Sequence, residues 1–238
     1  MITANILAHL VGDFILQPDA LARWKSKSQA GVLVHGLIVL LVTLAITVPI
    51  DRQWWPWAVV IGVAHTIVDS VQLWARQATA FQERGTPAFV RFIGDQFLHL
   101  SIILLALVFS GYLAVENPAG SLITALQQTQ GLTLLLGYSF IMMPAWVVGK
   151  FFVYGVICNM PADFAGSDKY IGMLERILIT TFVLLGQYML IPVVWLPRLL
   201  LETPYLEGKG ATTRYVAELL TSLTLAVGTG LGLGLLAT

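Results

Sequence analysis

Apolar windows of roughly 20 residues recur along this chain, each long enough to cross a hydrocarbon core as a helix, and that repetition leaves few folds open. One of them, WPWAVVIGVAHTIVDSVQLWA (55–75), carries a histidine and, four residues later, an aspartate, where charge is least welcome. Only 11% of the 238 residues are charged and 57% are hydrophobic, with a mean hydropathy of +0.81. A soluble domain is about a quarter charged. No series of short alternating strands suggests a barrel. The expected fold is all-α, a polytopic transmembrane helix bundle.

Turn and charge signals divide the apolar stretches into about seven helices, at roughly 2–17, 31–50, 56–76, 88–114, 132–158, 170–196 and 213–236. The first is short, because Pro18 disfavours helix at the residue before it. With no basic leader or cleavage site ahead of it, this first segment is expected to stay in the mature protein. Residues 1–114 read as a four-helix membrane domain and 115–238 as a three-helix extension. Arg23, Lys25 and Lys27 lie between helices 1 and 2, and Arg76, Arg84 and Arg91 between helices 3 and 4. The positive-inside rule makes those loops cytoplasmic and puts the N-terminus outside. Arg198, Lys209 and Arg214 do not follow the alternation, which leaves the orientation of the last helices open.

The formal net charge is zero, so nothing points to nucleic acid or to a polybasic lipid patch. The single cysteine, Cys158, rules out an internal disulfide framework. Oligomeric state is not legible.

Polar residues in the apolar segments follow one rule. His65 and Asp69 in HTIVD are matched by His9 and Asp13 in AHLVGDF and by Asp95 and His99 in GDQFLHL. Spacing of i, i+4 puts both members of a pair on one helical face, one turn apart. His35 in LVHGL is the remaining histidine. Counted from the flanking loop charges, these groups fall roughly 6–11 Å inside the cytoplasmic boundary. Four helices of alternating direction thus deliver seven polar groups to one layer.

On translocon-derived scales an aspartate at mid-helix costs about 2.5–3.5 kcal/mol, so three ionised ones approach a whole domain's stability. Protonation, Asp–His pairing or a bound cation can each compensate, and a cation also accounts for four histidines beside three carboxylates. His9, Asp13, His35, His65, Asp69, Asp95 and His99 are therefore the candidate metal ligands, with some of them able to orient ligands from behind. Nitrogen and oxygen donors without a thiolate favour zinc, with manganese or iron(II) possible, as one ion or two sharing a carboxylate.

Gln17 and Gln96 flank the cluster and are candidates to donate to a substrate oxygen. Arg23, Lys25 and Lys27 border its expected cytoplasmic opening; topology alone accounts for them, and steering of a phosphate or lipid headgroup is the alternative. In the second half, Lys150 reads as the ion-pair partner of Glu175, while Glu218 faces Arg214 one turn away. The tail GTGLGLGLL has small-xxx-small spacing, the mark of a helix-packing seam.

The series AHLVGDFILQ, RWKSKS, VLVHG, HTIVDSVQ and GDQFLHL resembles a bacterial inner-membrane family known only as a domain of unknown function, over about residues 1–110. The stretch YIGMLERILI is similar to a C-terminal extension of its longer members. Those members carry a lysine after HxxxD where this chain has Gln72. More distantly, HxxxD on membrane helices resembles membrane-bound metal-dependent hydrolases and, through them, the all-helical zinc-dependent phospholipase C architecture. That resemblance implies metal-activated water attacking a phosphoester.

The expected function is hydrolysis of a phosphoester in a lipid or lipid-linked substrate, with Asp69 or Asp95 as the catalytic base. A metal-ion or proton transporter would use the same layer as its binding site. A structural or partner-binding protein would use it for interhelical hydrogen bonds. A di-metal oxygenase fits less well, since carboxylate bundles of that type rely on glutamates.

Overall fold

A computed structural model describes residues 1–79, 85–164, 168–202 and 210–237; Arg84 and Lys209, used above for topology, lie outside them. Ten α-helices and no strand occur among the described residues, so the chain is all-α. It divides into two compact units, Met1–Gln82 with Ile93–Ser139 and Glu83–Phe92 with Phe140–Thr238.

In the first unit, α1 (Ile2–Leu10) runs into a π-helical turn, Val11–Ile15, closed by a hydrogen bond from Leu16 N to Val11 O. Pro18 caps a two-turn helix, α2 (Asp19–Lys25), where the sequence reading saw only a basic turn. Then come α3 (Gln29–Thr47), α4 (Trp55–Thr79) and α5 (Thr86–Phe109). A further helix, α6 (Pro118–Gln128), lies in what the sequence reading left as a loop. Its signals are present: Asn117 accepts a hydrogen bond from Gly120 N and Pro118 takes the first helical position. Thr3 Oγ1 lies 2.9 Å from Thr129 Oγ1, tying α1 to the end of α6.

The expected helix at 170–196 is two helices, α8 (Asp168–Leu184) and α9 (Ile191–Glu202). Gly186, at φ +70, stops the first, and Pro192 lies in the opening turn of the second. They follow α7 (Gln130–Phe152), extended by a second π turn, Val153–Ile157, and precede α10 (Ala211–Ala237). Five spans are long and apolar enough to cross a membrane: Gln29–Thr47, Arg52–Gln77, Thr86–Phe109, Gln130–Ile157 and Ala211–Leu236. Their exteriors are apolar, with Leu33, Leu37 and Leu41 exposed on α3 and Val60, Val63, Ile67, Val71 and Trp74 on α4. Histidine and aspartate point inward, the inversion a lipid solvent imposes.

The second unit corrects one expected pairing. Lys150 meets Glu218 at 3.0 Å rather than Glu175, and Glu175 pairs with Arg198 at 3.0 Å. Of the four tail glycines only Gly230 lies at a packing seam: a Cβ there would fall 2.7 Å from the Val183 side chain, whereas one at Gly228, Gly232 or Gly234 would meet nothing within 4 Å; nearby, Thr180 Oγ1 donates to Ala226 O at 2.9 Å.

Candidate metal centre

Every histidine and aspartate singled out in the sequence lies in the first unit, and close approach of its helices brings them together. Asp13 rides on the π turn, a helix irregularity that often marks functional sites. Gly12 beside it leaves room for Val39, whose Cα would lie 3.2 Å from a Cβ there. Gly36 lets α3 press on Thr66 of α4, and a Cβ at Gly31 would lie 2.6 Å from Trp24 C and Lys25 N. Small residues at these seams draw backbones close enough for short polar side chains to meet. His9, Asp13, His35, His65, Asp69 and His99 are all buried, His35 completely.

His35 Nε2 and His65 Nε2 each approach both Asp13 Oδ1 and Asp69 Oδ2. His35 Nε2 lies 2.9 Å from Asp13 Oδ1, 3.2 Å from His65 Nε2 and 3.6 Å from Asp69 Oδ2. His65 Nε2 lies 3.3 Å from Asp69 Oδ2 and 3.7 Å from Asp13 Oδ1. Nitrogen and oxygen ligands about 2.0–2.2 Å from a tetrahedral zinc stand roughly 3.3–3.5 Å from one another, so these separations bracket the required size. Two ligand triads are close enough to hold an ion, Asp13 with His35 and His65, and His65 with Asp69 and His99. His65 belongs to both.

Lys25 completes the electrostatics. Its Nζ is 2.7 Å from Asp69 Oδ2 and 3.7 Å from Asp13 Oδ1, held there by α2 and the close approach at Gly31. The sequence placed Lys25 only at the rim. With Asp13, Asp69 and Asp95 ionised and the imidazoles neutral, the cluster carries a formal charge of minus two. One divalent cation balances it.

Asp95 and His9 stand outside both triads. Asp95 Oδ1 lies 3.3 Å from His99 Nδ1 and accepts a hydrogen bond from Gln72 Nε2. Gln96 is a hub: its Nε2 reaches Asp13 Oδ2 at 3.1 Å and Asp95 Oδ2 at 3.3 Å, and its Oε1 lies 3.1 Å from His9 Nε2. His99 stacks on His65 with ring centroids 4.0 Å apart, its Nε2 3.9 Å from Asp69 Oδ1.

Several buried atoms find no hydrogen-bond partner: Asp69 Oδ2, His35 Nδ1, both nitrogens of His99, and Gln17 Oε1. Asp69 Oδ2 touches the Lys25 ammonium at ionic distance but not in hydrogen-bonding direction. Buried polar atoms left unpaired cost about 1–3 kcal/mol each; of these atoms, Asp69 Oδ2 and His99 Nε2 face the donor triads, where an ion could take them as ligands.

The sequence of residues 1–127 matches the family model described as a protein of unknown function, DUF3307. The chain belongs to that family. The match contains the whole cluster, from His9 to His99. No curated protein and no solved structure matches the chain.

Proposed function

We propose that this family member holds one divalent metal ion, zinc by its donor chemistry, in the cage of Asp13, His35, His65 and Asp69, and hydrolyses a phosphoester of a lipid or lipid-linked substrate. The observation that carries this reading is the pair of buried donor triads, Asp13–His35–His65 and His65–Asp69–His99, that meet at His65 in a cluster with a formal charge of minus two. Bound there, the ion would supply an acidic water and polarise a phosphoryl oxygen.

The remaining residues then have distinct tasks. Asp69, inside the cage, serves as a ligand. Asp95, outside it and 17% exposed at its side chain, is the carboxylate free to take the proton of the attacking water. Gln72 and Gln96 hold Asp95 in place, His99 bridges it toward Asp69, and the Lys25 ammonium is positioned to contact phosphoryl oxygens entering beside the cage. The substrate would reach the site through the bilayer; the resemblance supports a bacterial inner membrane, and the charges of the 1–2 and 3–4 loops support a cage toward the cytoplasm.

A second reading, metal-ion or proton transport, is favoured by one feature. A cavity with room for about one water is bounded by Asn5, His9, Thr43, His65 and His99, giving the cluster a wet neighbour away from Lys25. The decisive experiment measures metal content of purified full chain, phosphate release from phosphatidic acid and lipid pyrophosphates, and flux in proteoliposomes. Stoichiometric metal with phosphate release supports the hydrolase. Flux without turnover supports the transporter, and protein that stays metal-free after zinc or manganese addition defeats both metal readings.

A further inference from the structure

The second unit holds a polar pocket that the hydrolase reading does not use. A cavity of about 40 Å³, open on one side, is bounded by Trp146, Lys150, Gly172, Arg176, Arg198 and Glu218. Three of its walls are cationic. Lys150 is balanced by Glu218 and Arg198 by Glu175, each pair at 3.0 Å. Arg176 is 3% exposed, and its donors end on neutral oxygens: Nε on Ile141 O at 2.6 Å, Nη2 on Met142 O at 2.7 Å and Nη1 on Ser222 Oγ at 3.3 Å.

Both carbonyls lie on α7 in the turn that holds Pro144, and each accepts from the guanidinium. Arg176 is thus fixed in place by backbone, and the pocket keeps a net charge of plus one. Both guanidinium groups turn toward Gly172, where a Cβ would meet Arg176 Nη1 at 3.2 Å and Arg198 Nη1 at 3.4 Å. Glu175 offsets one of these two guanidinium charges and leaves the other to attract an incoming anion.

Position narrows the anion. Lys150 lies seven residues before the end of the span Gln130–Ile157 and Glu218 seven after the start of Ala211–Leu236, each about 10 Å in from the helix end. Aromatic rings gather there: Lys150 Nζ sits 5.0 Å from the Tyr154 ring centroid and Lys169 Nζ 5.8 Å from that of Trp146. Tyrosine and tryptophan beside cations mark the level of lipid headgroups. From this convergence of Lys150, Arg176 and Arg198 around Gly172 we infer that the pocket binds a phosphate group, carried by an anionic phospholipid or free in solution.

Opposite charge changes separate this site from a structural polar network. Full chain in detergent is titrated with phosphatidylglycerol, and bound lipid is counted by native mass spectrometry. One lipid per chain is expected, with affinity about tenfold weaker in Lys150→Gln and about tenfold tighter in Glu218→Gln. The double variant, which restores the net charge, should return close to wild type, whereas a folding defect would weaken both single variants. Displacement of the lipid by inorganic phosphate would make soluble phosphate a source for the same site; retention would make the headgroup the ligand. No binding, or affinity moved in the same direction by both single variants, overturns the inference. His65→Ala in the first unit should leave this binding unchanged even if metal is lost, so the two proposals fail separately.

Discussion

Lys25 Nζ stands 2.7 Å from Asp69 Oδ2, which puts a fixed ammonium against the same oxygen that would ligate a metal ion. The two cations compete for one carboxylate and repel each other. Lys25→Gln should therefore tighten metal binding, by about tenfold in a chelator competition. It should also destabilise the metal-free protein by about 1–3 kcal/mol, since buried Asp69 loses its counter-ion. If the ammonium serves only topology, neither quantity will move.

His65 is the residue both triads share, and His9 belongs to neither. His65→Ala should abolish stoichiometric metal. His9→Ala, which removes only the support that passes through Gln96, should keep the metal with affinity lowered roughly 10–100-fold, as for residues that orient ligands from behind. Elemental analysis of the two purified variants reads this directly, and equal loss in both would argue against a cage centred on His65.

The sequence offers Asp69 and Asp95 equally as bases; under the proposed cage only Asp95 is left without an ion to ligate. Asp95→Asn should retain metal and lose about 10²–10⁴-fold in turnover, whereas Asp69→Asn should lose both. Metal content and single-turnover rate, measured on the same preparations, decide the matter. Retention of activity by Asp95→Asn would remove it as proton acceptor.

Much of this site could be read from residue order because the rule behind it is local. An i, i+4 pair shares a helix face whatever the tertiary structure, and a charged pair in an apolar helix must turn inward. His9, His35, His65 and His99 therefore fell into one layer by counting along helices. Lys25 was missed as a partner because its contact crosses between helices at the close approach of Gly31, and Gln72 because its contact runs from α4 to α5; no periodicity encodes either. The break between α8 and α9 was missed although Gly186 and Pro192 announce it, because the flanking residues are as apolar as a single span. Lys150 was assigned to Glu175 because the pairing of helices in the second unit, unlike their lengths, is not written in hydropathy.

Gly31 and Gly94 make a matched pair for the packing claim. A Cβ at Gly31 would press on the backbone of Trp24 and Lys25 at 2.6 Å, while one at Gly94 would meet nothing within 4 Å. Gly31→Ala should cost about 1–3 kcal/mol and carry Lys25 away from Asp69. Gly94→Ala on exposed α5 should be neutral or stabilising by up to about 1 kcal/mol. Thermal unfolding in detergent compares them, and similar stability in the two variants would mean that α2 adjusts freely.

The far end of the first unit offers a titration outside the spans. Tyr112 donates to Asp51 Oδ2 at 2.6 Å, and Asp51 also accepts from Gln53 N at 2.8 Å. The hydrogen bond from Tyr112, then that from Gln53, hold the Asp51 carboxyl below its ordinary 3.8, with the N-terminal ammonium adding to the effect. The same bond raises the Tyr112 hydroxyl above its ordinary 10.0. A lowered carboxyl contributes stability that is present above the unfolded value and lost as pH falls through the lower folded one. A raised phenol contributes stability that is present below 10.0 and lost as pH rises through its higher folded value. Wild type should therefore show a plateau between those limits with losses on both flanks. Tyr112→Phe should reduce the acid-side loss and abolish the alkaline one, and Asp51→Asn should do the converse. Unfolding midpoints in detergent across that pH range test it, and superimposable profiles for wild type and Tyr112→Phe would show that this bond contributes nothing to the folded state.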